Sequence, residues 1–390
     1  MKLASRAHEV APFYVMEVVK RADQLAASGR SIIHLSIGEP DFATPEPVQR
    51  AACAAISAGR AGYTSALGLP ALREAIAADY GKRFDVAIPA DCIVVTAGAS
   101  AALALALAAL VDAEREVLLP DPSYPCNRNF AVAFDARVRL LPCGPETAFQ
   151  PSAAQVAEAW SARSAALLLA SPANPTGTSV SRAQLAAIAQ VVAERDGALL
   201  VDEIYHGLVY GHRAWTALSV VPQAIVLNSF SKYYCMTGWR LGWMVAPSEL
   251  VPALERLAQN LYICAPTIAQ HAALACFTPE TQAICEERRR EFERRRARLL
   301  PGLRSLGFRI PAEPDGAFYV YADISGLAGD SWTFCFDVLE KTGVCFVPGR
   351  DFGRAAPERF VRLSYATSME AIDEALERLA AYLAGSRSAA

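Results

Sequence analysis

The chain has 390 residues, 53% hydrophobic and 20% charged, which excludes a disordered or fibrous polymer and suffices for a large domain plus a smaller one. Its 37 basic and 40 acidic residues leave a formal net charge of −3, so no field favours nucleic acid or an anionic membrane. The ten cysteines form no C-x-x-C pair, so no metal site is expected; several lie in apolar runs, where a reduced thiol is a small core residue, and this suggests a reducing compartment.

The first residues, Met1-Lys2-Leu3-Ala4-Ser5-Arg6, carry no apolar signal-peptide core. The longest apolar stretch, 101–111, falls short of the roughly 20 residues needed to cross a bilayer. These readings predict a soluble, cytoplasmic protein with no membrane or nucleic-acid partner. Short β-branched or Leu-rich runs then alternate with longer Ala-rich ones. Strands are expected over 93–96, 116–119, 165–170, 198–201 and 224–227, with helices over 99–110 and 181–195, the latter starting at a Ser cap. That alternation predicts an α/β domain with a mainly parallel sheet. From about residue 279 the character changes. The segment 286–298 is dense in interleaved Glu and Arg, which predicts a solvated or interdomain helix with i,i+4 pairs rather than a nucleic-acid surface. Short strands over 317–321, 344–347 and 360–365 and a helix over 369–383 complete a smaller α+β domain. The expected division is 48–280 for the large domain, with 1–47 and 281–390 forming the small one.

Chemistry-bearing residues cluster where the strands end, the place where ligands bind in open α/β sheets. Lys232, in Asn228-Ser229-Phe230-Ser231-Lys232, follows a strand among hydroxyl donors and can form a Schiff base with an aldehyde cofactor; taken alone, such a lysine is more often an ordinary surface residue. Asp202 ends another strand, where a carboxylate can hold a pyridinium nitrogen protonated or cap a helix. Asn174, in Ser171-Pro172-Ala173-Asn174-Pro175-Thr176-Gly177, sits in a Pro/Gly-shaped turn, and its amide can face a phenolic oxygen. The small residues of Thr96-Ala97-Gly98-Ala99-Ser100-Ala101 let backbone N–H groups approach a phosphate at a helix N-terminus, yet match neither a G-x-G-x-x-G fingerprint nor a P-loop. Tyr124 follows a further strand, either stacked on a flat ring or packed in the core.

Taken in order, these pieces resemble the fold-type I pyridoxal-phosphate (PLP) enzymes, specifically the class I aminotransferase family, aspartate aminotransferase-like. The resemblance runs from Ile37-Gly38-Glu39-Pro40-Asp41-Phe42 through Tyr63-Thr64-Ser65, Asp202-Glu203-Ile204-Tyr205 and Ser229-Phe230-Ser231-Lys232-Tyr233 to Phe360-Val361-Arg362-Leu363-Ser364-Tyr365. It implies a large domain with a mainly parallel sheet, PLP as cofactor, and amino-group transfer between an L-amino acid and a 2-oxo acid by a ping-pong route. It further implies that Lys232 is the Schiff-base lysine and proton carrier, that Asp202 partners the ring nitrogen, and that Tyr205 and Asn174 face the phenolic oxygen. Tyr124 matches the stacking aromatic; Ala99, Ser100, Ser229, Ser231 and Arg240 fall at the phosphate. Tyr63 matches a tyrosine that reaches the neighbouring subunit's phosphate, implying a homodimer with shared active sites. Arg362 resembles the arginine that grips the substrate α-carboxylate, with the Gly38 backbone and Asn174 nearby, and an arginine fork suits that bidentate contact. Related bacterial aspartate aminotransferases carry a lysine where Ser100 stands here, which puts aspartate specificity in doubt. Phe13 and Tyr14 approach the side-chain pocket or form a subunit-contact arm. Competing readings are a PLP-dependent β-lyase or another enzyme on the same scaffold, or a non-catalytic ligand sensor, for which no DNA-binding segment precedes Gly38.

Overall fold

Seven short strands pair into one sheet in the computed structural model, which describes residues 2–388. In spatial order the strands are Ile93–Thr96, Gly242–Val245, Ile225–Ser229, Ala198–Asp202, Ser164–Ala170, Glu116–Asp121 and Arg137–Pro142. Neighbours run parallel except at Gly242–Val245, which is antiparallel to both strands beside it. Period-two alternation splits the inner residues between two cores. Val95, Leu118, Leu167, Leu169 and Val201 pack on one face, while Val94, Val117, Leu168, Leu200 and Leu227 pack on the other.

The helices expected at the sheet are present. Ala99–Leu110 packs against the second core, and Arg182–Ala193 starts at Ser181, whose hydroxyl accepts the Gln184 N–H at 3.2 Å. Two strands carried no strong sequence signal. Arg137–Pro142 alternates exposed and half-buried residues at the sheet edge, so it lacks an apolar run. Gly242–Val245 is only four residues long and directly follows the lysine segment.

The smaller α+β part holds an antiparallel sheet ordered Val347–Pro348, Phe360–Ser364, Tyr319–Asp323, and a parallel pair of Ile33–His34 with Val344–Cys345. The single strand expected over 344–347 is therefore two. The chain changes sheets at Phe346, whose buried ring packs 5.9 Å from that of Phe334.

The charge-dense segment lies within the helix Pro279–Ser305, about 40 Å long at 1.5 Å per residue. It is solvated along part of its length and docked along another. Arg289 pairs with Glu286 and Glu293 near the surface, whereas Arg295 is buried between Glu291 and Asp41 (3.1 and 2.7 Å) with its guanidinium 5.0 Å from the Phe42 ring. Arg288 adds a hydrogen bond to the Ala43 carbonyl at 2.7 Å. The helix thereby anchors the Ile37–Phe42 segment, which carries Gly38 to the sheet's ligand-binding edge. No helix among the described residues is long and apolar enough to cross a membrane.

Candidate active site

A cavity of about 480 Å³ opens where the carboxyl ends of the central strands meet the N-terminal segment and the small sheet. Ala170, Asp202 and Leu227 reach it from strand ends, and Ser231, Lys232 and Arg240 from the segment after Ile225–Ser229. Among the described residues, Lys232 is the only one of the chain's five lysines that lines it.

The Lys232 amine donates to the Gly38 carbonyl at 2.6 Å. Burial lowers its pKa to about 8, with Glu39 and Asp202 opposing, and Arg362 and Arg240 reinforcing, the shift. Asp202 accepts the Ile204 N–H on one carboxylate oxygen at 3.0 Å, and no described residue donates to the other. Burial pushes the Asp202 carboxyl up to about 6 against the Ile204 hydrogen bond and the charge of Lys232. Its side chain is therefore not a helix cap but a partly buried acid on the wall of the cavity that Lys232 also lines.

One end of the cavity gathers groups that can hold an anion. The helix Ala99–Leu110 starts there with no side-chain cap, and the first N–H groups of a helix have no partner within it. Gly98 precedes it at φ 85°, ψ 170°, a region open essentially to glycine alone, and a Cβ there would lie 2.7 Å from Arg240 Nη2. Likewise a Cβ on Gly242 would meet the Ala99 N–H nitrogen at 2.8 Å and the Asn228 carbonyl oxygen at 2.7 Å. Small residues thus bring Arg240, Ala99 and Ser100 together with Ser231. Ser229 stands behind this group rather than on the cavity wall. Its hydroxyl donates to the Leu241 carbonyl (3.0 Å) and lies 2.8 Å from the Ser231 hydroxyl, holding the turn before Lys232.

At the other end Arg362 is buried. Nη1 donates to the Asn174 side-chain oxygen at 2.9 Å and Nη2 to the Ser36 carbonyl at 2.8 Å, while Nε has no partner. Its guanidinium carbon lies 4.4 Å from the Tyr319 ring and 4.9 Å from the Phe352 ring. No described carboxylate sits within ion-pair distance of it, so an incoming anion has a fork to occupy. Tyr124 and Tyr205 also line the cavity, with burial raising both phenols so that they stay protonated. Phe13 lines it as well, 6.4 Å from Tyr124, whereas Tyr14 turns edge-on to Trp332.

Among the expected residues, Gly38, Ala99, Ser100, Tyr124, Asn174, Asp202, Tyr205, Ser231, Lys232, Arg240 and Arg362 converge on this one cavity. Tyr63 does not; it is 83% exposed on the surface of the single chain. Tyr319, Asp351 and Phe352 are among the lining residues that were not foreseen. Tyr319, in a run read only as a strand, donates to or accepts from the Tyr205 hydroxyl at 2.9 Å. Phe352 follows a Pro348-Gly349 turn, and Asp351 beside it accepts the Tyr14 and Val15 N–H groups, tying the N-terminal segment over the cavity. The one sequence hint for this pair was the turn chemistry around Gly349 and Gly353.

Immediately behind the site, a second buried carboxyl follows Asp202. Glu203 takes the Ala217 N–H (2.6 Å) and the Thr216 hydroxyl (3.2 Å) on one oxygen; the other lies 3.3 Å from His206 Nδ1. His206 Nε2 faces the Trp215 carbonyl at 2.7 Å, which can only accept, so Nε2 carries the proton and Nδ1 is the acceptor. The Glu203 oxygen facing it is buried and makes no hydrogen bond among the described residues. Burial is the main cause in both: it pushes Glu203 up to about 8 and His206 down to about 3.

The model of the family described as "Aminotransferase class I and II" matches residues 30–379. A valine–pyruvate aminotransferase of Mycobacterium tuberculosis is 44% identical over 96% of this chain and 97% of its own length. An aspartate/prephenate aminotransferase of Thermus thermophilus is 36% identical over 98% of each. A crystal structure of an aminotransferase from Mycobacterium tuberculosis superposes with a TM-score of 0.95 at 44% identity, covering 99% of this chain and all of the other. With its mainly parallel α/β sheet and this cavity, the chain belongs to the class I and II aminotransferases, enzymes that move an amino group between an amino acid and a 2-oxo acid.

Proposed function

We propose that this aminotransferase uses PLP held at Lys232, and that its amino donors and acceptors carry small or apolar side chains. The supporting observation is that Lys232, Arg240 and Arg362 are the only cationic side chains lining the cavity among the described residues. Each already has a task, so no fourth cation awaits a distal carboxylate. Ser100 supplies only a hydroxyl, and the N-terminal wall of Phe13, Val15, Met16 and Val19 is apolar. The relative from Mycobacterium tuberculosis, named for valine and pyruvate, fits the same chemistry.

The residues present fit the cofactor. The helix N-terminus at Ala99 and Ser100, with Ser231 and Arg240, would hold its phosphate; Asp202 would meet its ring nitrogen; Tyr205 and Asn174 would face its phenolic oxygen; and Tyr124 would stack on its ring. When bound, PLP supplies an aldehyde that takes up the amino group and a protonated ring that draws electrons from the substrate's α-carbon. The chain's own groups do the rest. Arg362 binds the α-carboxylate and orients the α-carbon, and Asp202 keeps its negative charge where a ring proton needs it. The Lys232 amine, released when substrate arrives, takes the α-proton and returns it during transfer. Phe13 and Met16 form part of the cavity's apolar outer wall. The oxo acid leaves before the second oxo acid enters the same space, so both substrates answer to one pocket and the kinetics are ping-pong.

The working unit in this reading is a homodimer with shared sites. Tyr63, Ile56, Leu261 and Ile263 are each exposed, and the Thr267 hydroxyl ties the segments of Tyr63 and Ile263 through the Gly62 carbonyl at 2.8 Å. Domains of 48–280 and of 1–47 with 281–390 would then close on each other around the substrate. Half-reaction rates with valine, alanine, phenylalanine, aspartate and glutamate test the substrate class. Faster reaction with aspartate or glutamate than with every neutral donor overturns it. Sedimentation of a monomer at micromolar concentration overturns the dimer.

A further inference from the structure

Resting on that reading of the cavity, we infer that Tyr319 is a positioning residue that serves both ends of the site, its ring setting Arg362 and its hydroxyl setting Tyr205. Tyr319 opens the strand Tyr319–Asp323, and its neighbour two residues on, Tyr321, is the cross-strand partner of Arg362. Residues two apart share a face, so Tyr319 is a diagonal neighbour of Arg362 on the cavity side. The guanidinium carbon lies 4.4 Å from the ring centroid, within cation–π range, and this contact is independent of the two hydrogen bonds that Arg362 makes.

The hydroxyl works in the other direction. It lies 2.9 Å from the Tyr205 hydroxyl, and the two rings meet edge-on at 82°. A phenol has one proton and two acceptor positions. If Tyr205 spends its proton on the cofactor's phenolic oxygen, its hydrogen bond with Tyr319 must run from Tyr319 to Tyr205. A donated hydrogen bond polarises the acceptor hydroxyl and strengthens the one it gives onward. The same oxygen fills the space beside Gly38, where a Cβ would approach it to 3.0 Å, and the Gly38 carbonyl is the acceptor for the Lys232 amine. One fully buried side chain thus touches the arginine, the tyrosine and the glycine that frame the lysine.

Two variants of the holoenzyme separate the two contacts. Tyr319→Phe keeps the ring and deletes the hydroxyl. The pH midpoint at which the visible absorbance of bound PLP titrates should rise, the proton affinity increasing about three- to tenfold for one lost hydrogen bond, while KM for the amino acid stays within about twofold. Tyr319→Leu removes the ring too, and should add a rise in KM of about threefold or more for the lost contact with Arg362. The inference is overturned if Tyr319→Phe titrates as wild type, or if Tyr319→Leu shows the KM of Tyr319→Phe. Borohydride reduction of the wild-type holoenzyme distinguishes a failure of the underlying reading: label on Lys232 with unchanged variants removes the role of Tyr319 alone, whereas label elsewhere removes the site.

Discussion

Arg362→Leu probes the substrate end of the cavity with the least ambiguity. The wild-type guanidinium is held by Asn174 and Ser36 at 2.9 and 2.8 Å, is braced by two aromatic rings and keeps Nε without a partner, so its anion site is preformed. A truncated buried charge pair costs about 2–5 kcal/mol. At 1.4 kcal/mol per tenfold, that is a fall in kcat/KM for an amino acid of roughly 30- to 4,000-fold. The loss should follow the α-carboxylate. An amine of the same side chain without a carboxylate, slow with the wild type, should change less than about threefold, because it never engages the fork. Arg362→Lys should recover only part of the loss, since an ammonium supplies charge without the planar fork. Single-turnover absorbance changes of the PLP-loaded enzyme measure each rate. An equal fall for amine and amino acid would refute the reasoning, since the substitution would then act on the pocket as a whole.

Lys232 in the cofactor-free protein has its pKa brought down to about 8, so the rate of PLP uptake should rise with pH and level off about one unit above that value. Continued log-linear rise to pH 10 contradicts this. Gly98→Ala should weaken PLP binding about tenfold or more, measured by equilibrium titration, because the substitution forces a residue with a Cβ into a glycine-only conformation against Arg240. Unaltered affinity shows that the turn does not hold the cofactor. Glu203 and His206 make opposite contributions to stability with pH. The Glu203 pKa is raised in the fold, so its contribution is complete below the unfolded carboxyl value and is lost as pH rises towards about 8; the His206 pKa is depressed, so its contribution is lost as pH falls through the unfolded imidazole range. Between about pH 6.5 and 8 only the Glu203 loss remains, and Glu203→Gln, which removes the titrating carboxyl at nearly the same size, should flatten the decline in midpoint temperature over that window. A wild-type profile in that variant contradicts the raised Glu203 pKa.

Much of the site was legible because its residues are local to strand ends. Asp202 terminates a buried apolar run, Asn174 sits in a Pro/Gly turn, and Lys232 follows a strand within one continuous segment, so type and position could be read together. Tyr319 and Phe352 could not be found that way. Tyr319 is an aromatic in an apolar run and Phe352 one in a polar turn, and the role of each depends on a strand pairing with Arg362 or a turn folding under it. The Arg289–Arg296 stretch shows the same limit. Charge pattern predicted the helix and its surface pairs, but only long-range packing makes Arg295 a buried anchor for Asp41 while Arg289 stays near the solvent. Edge strand Arg137–Pro142 escaped because half of its side chains face water, which erases the apolar signal by which its neighbours were recognised.

The central claim is that the chain uses Lys232 to hold PLP. Borohydride reduction of the PLP-loaded protein, followed by digestion and mass spectrometry, tests it directly, because five lysines leave few candidates and Lys232 alone lines the cavity. The account predicts a phosphopyridoxyl adduct confined to the peptide bearing Lys232 and abolished by Lys232→Ala together with transamination. A stoichiometric adduct on Lys2, Lys20, Lys82 or Lys341, or substantial transamination by Lys232→Ala, would contradict it.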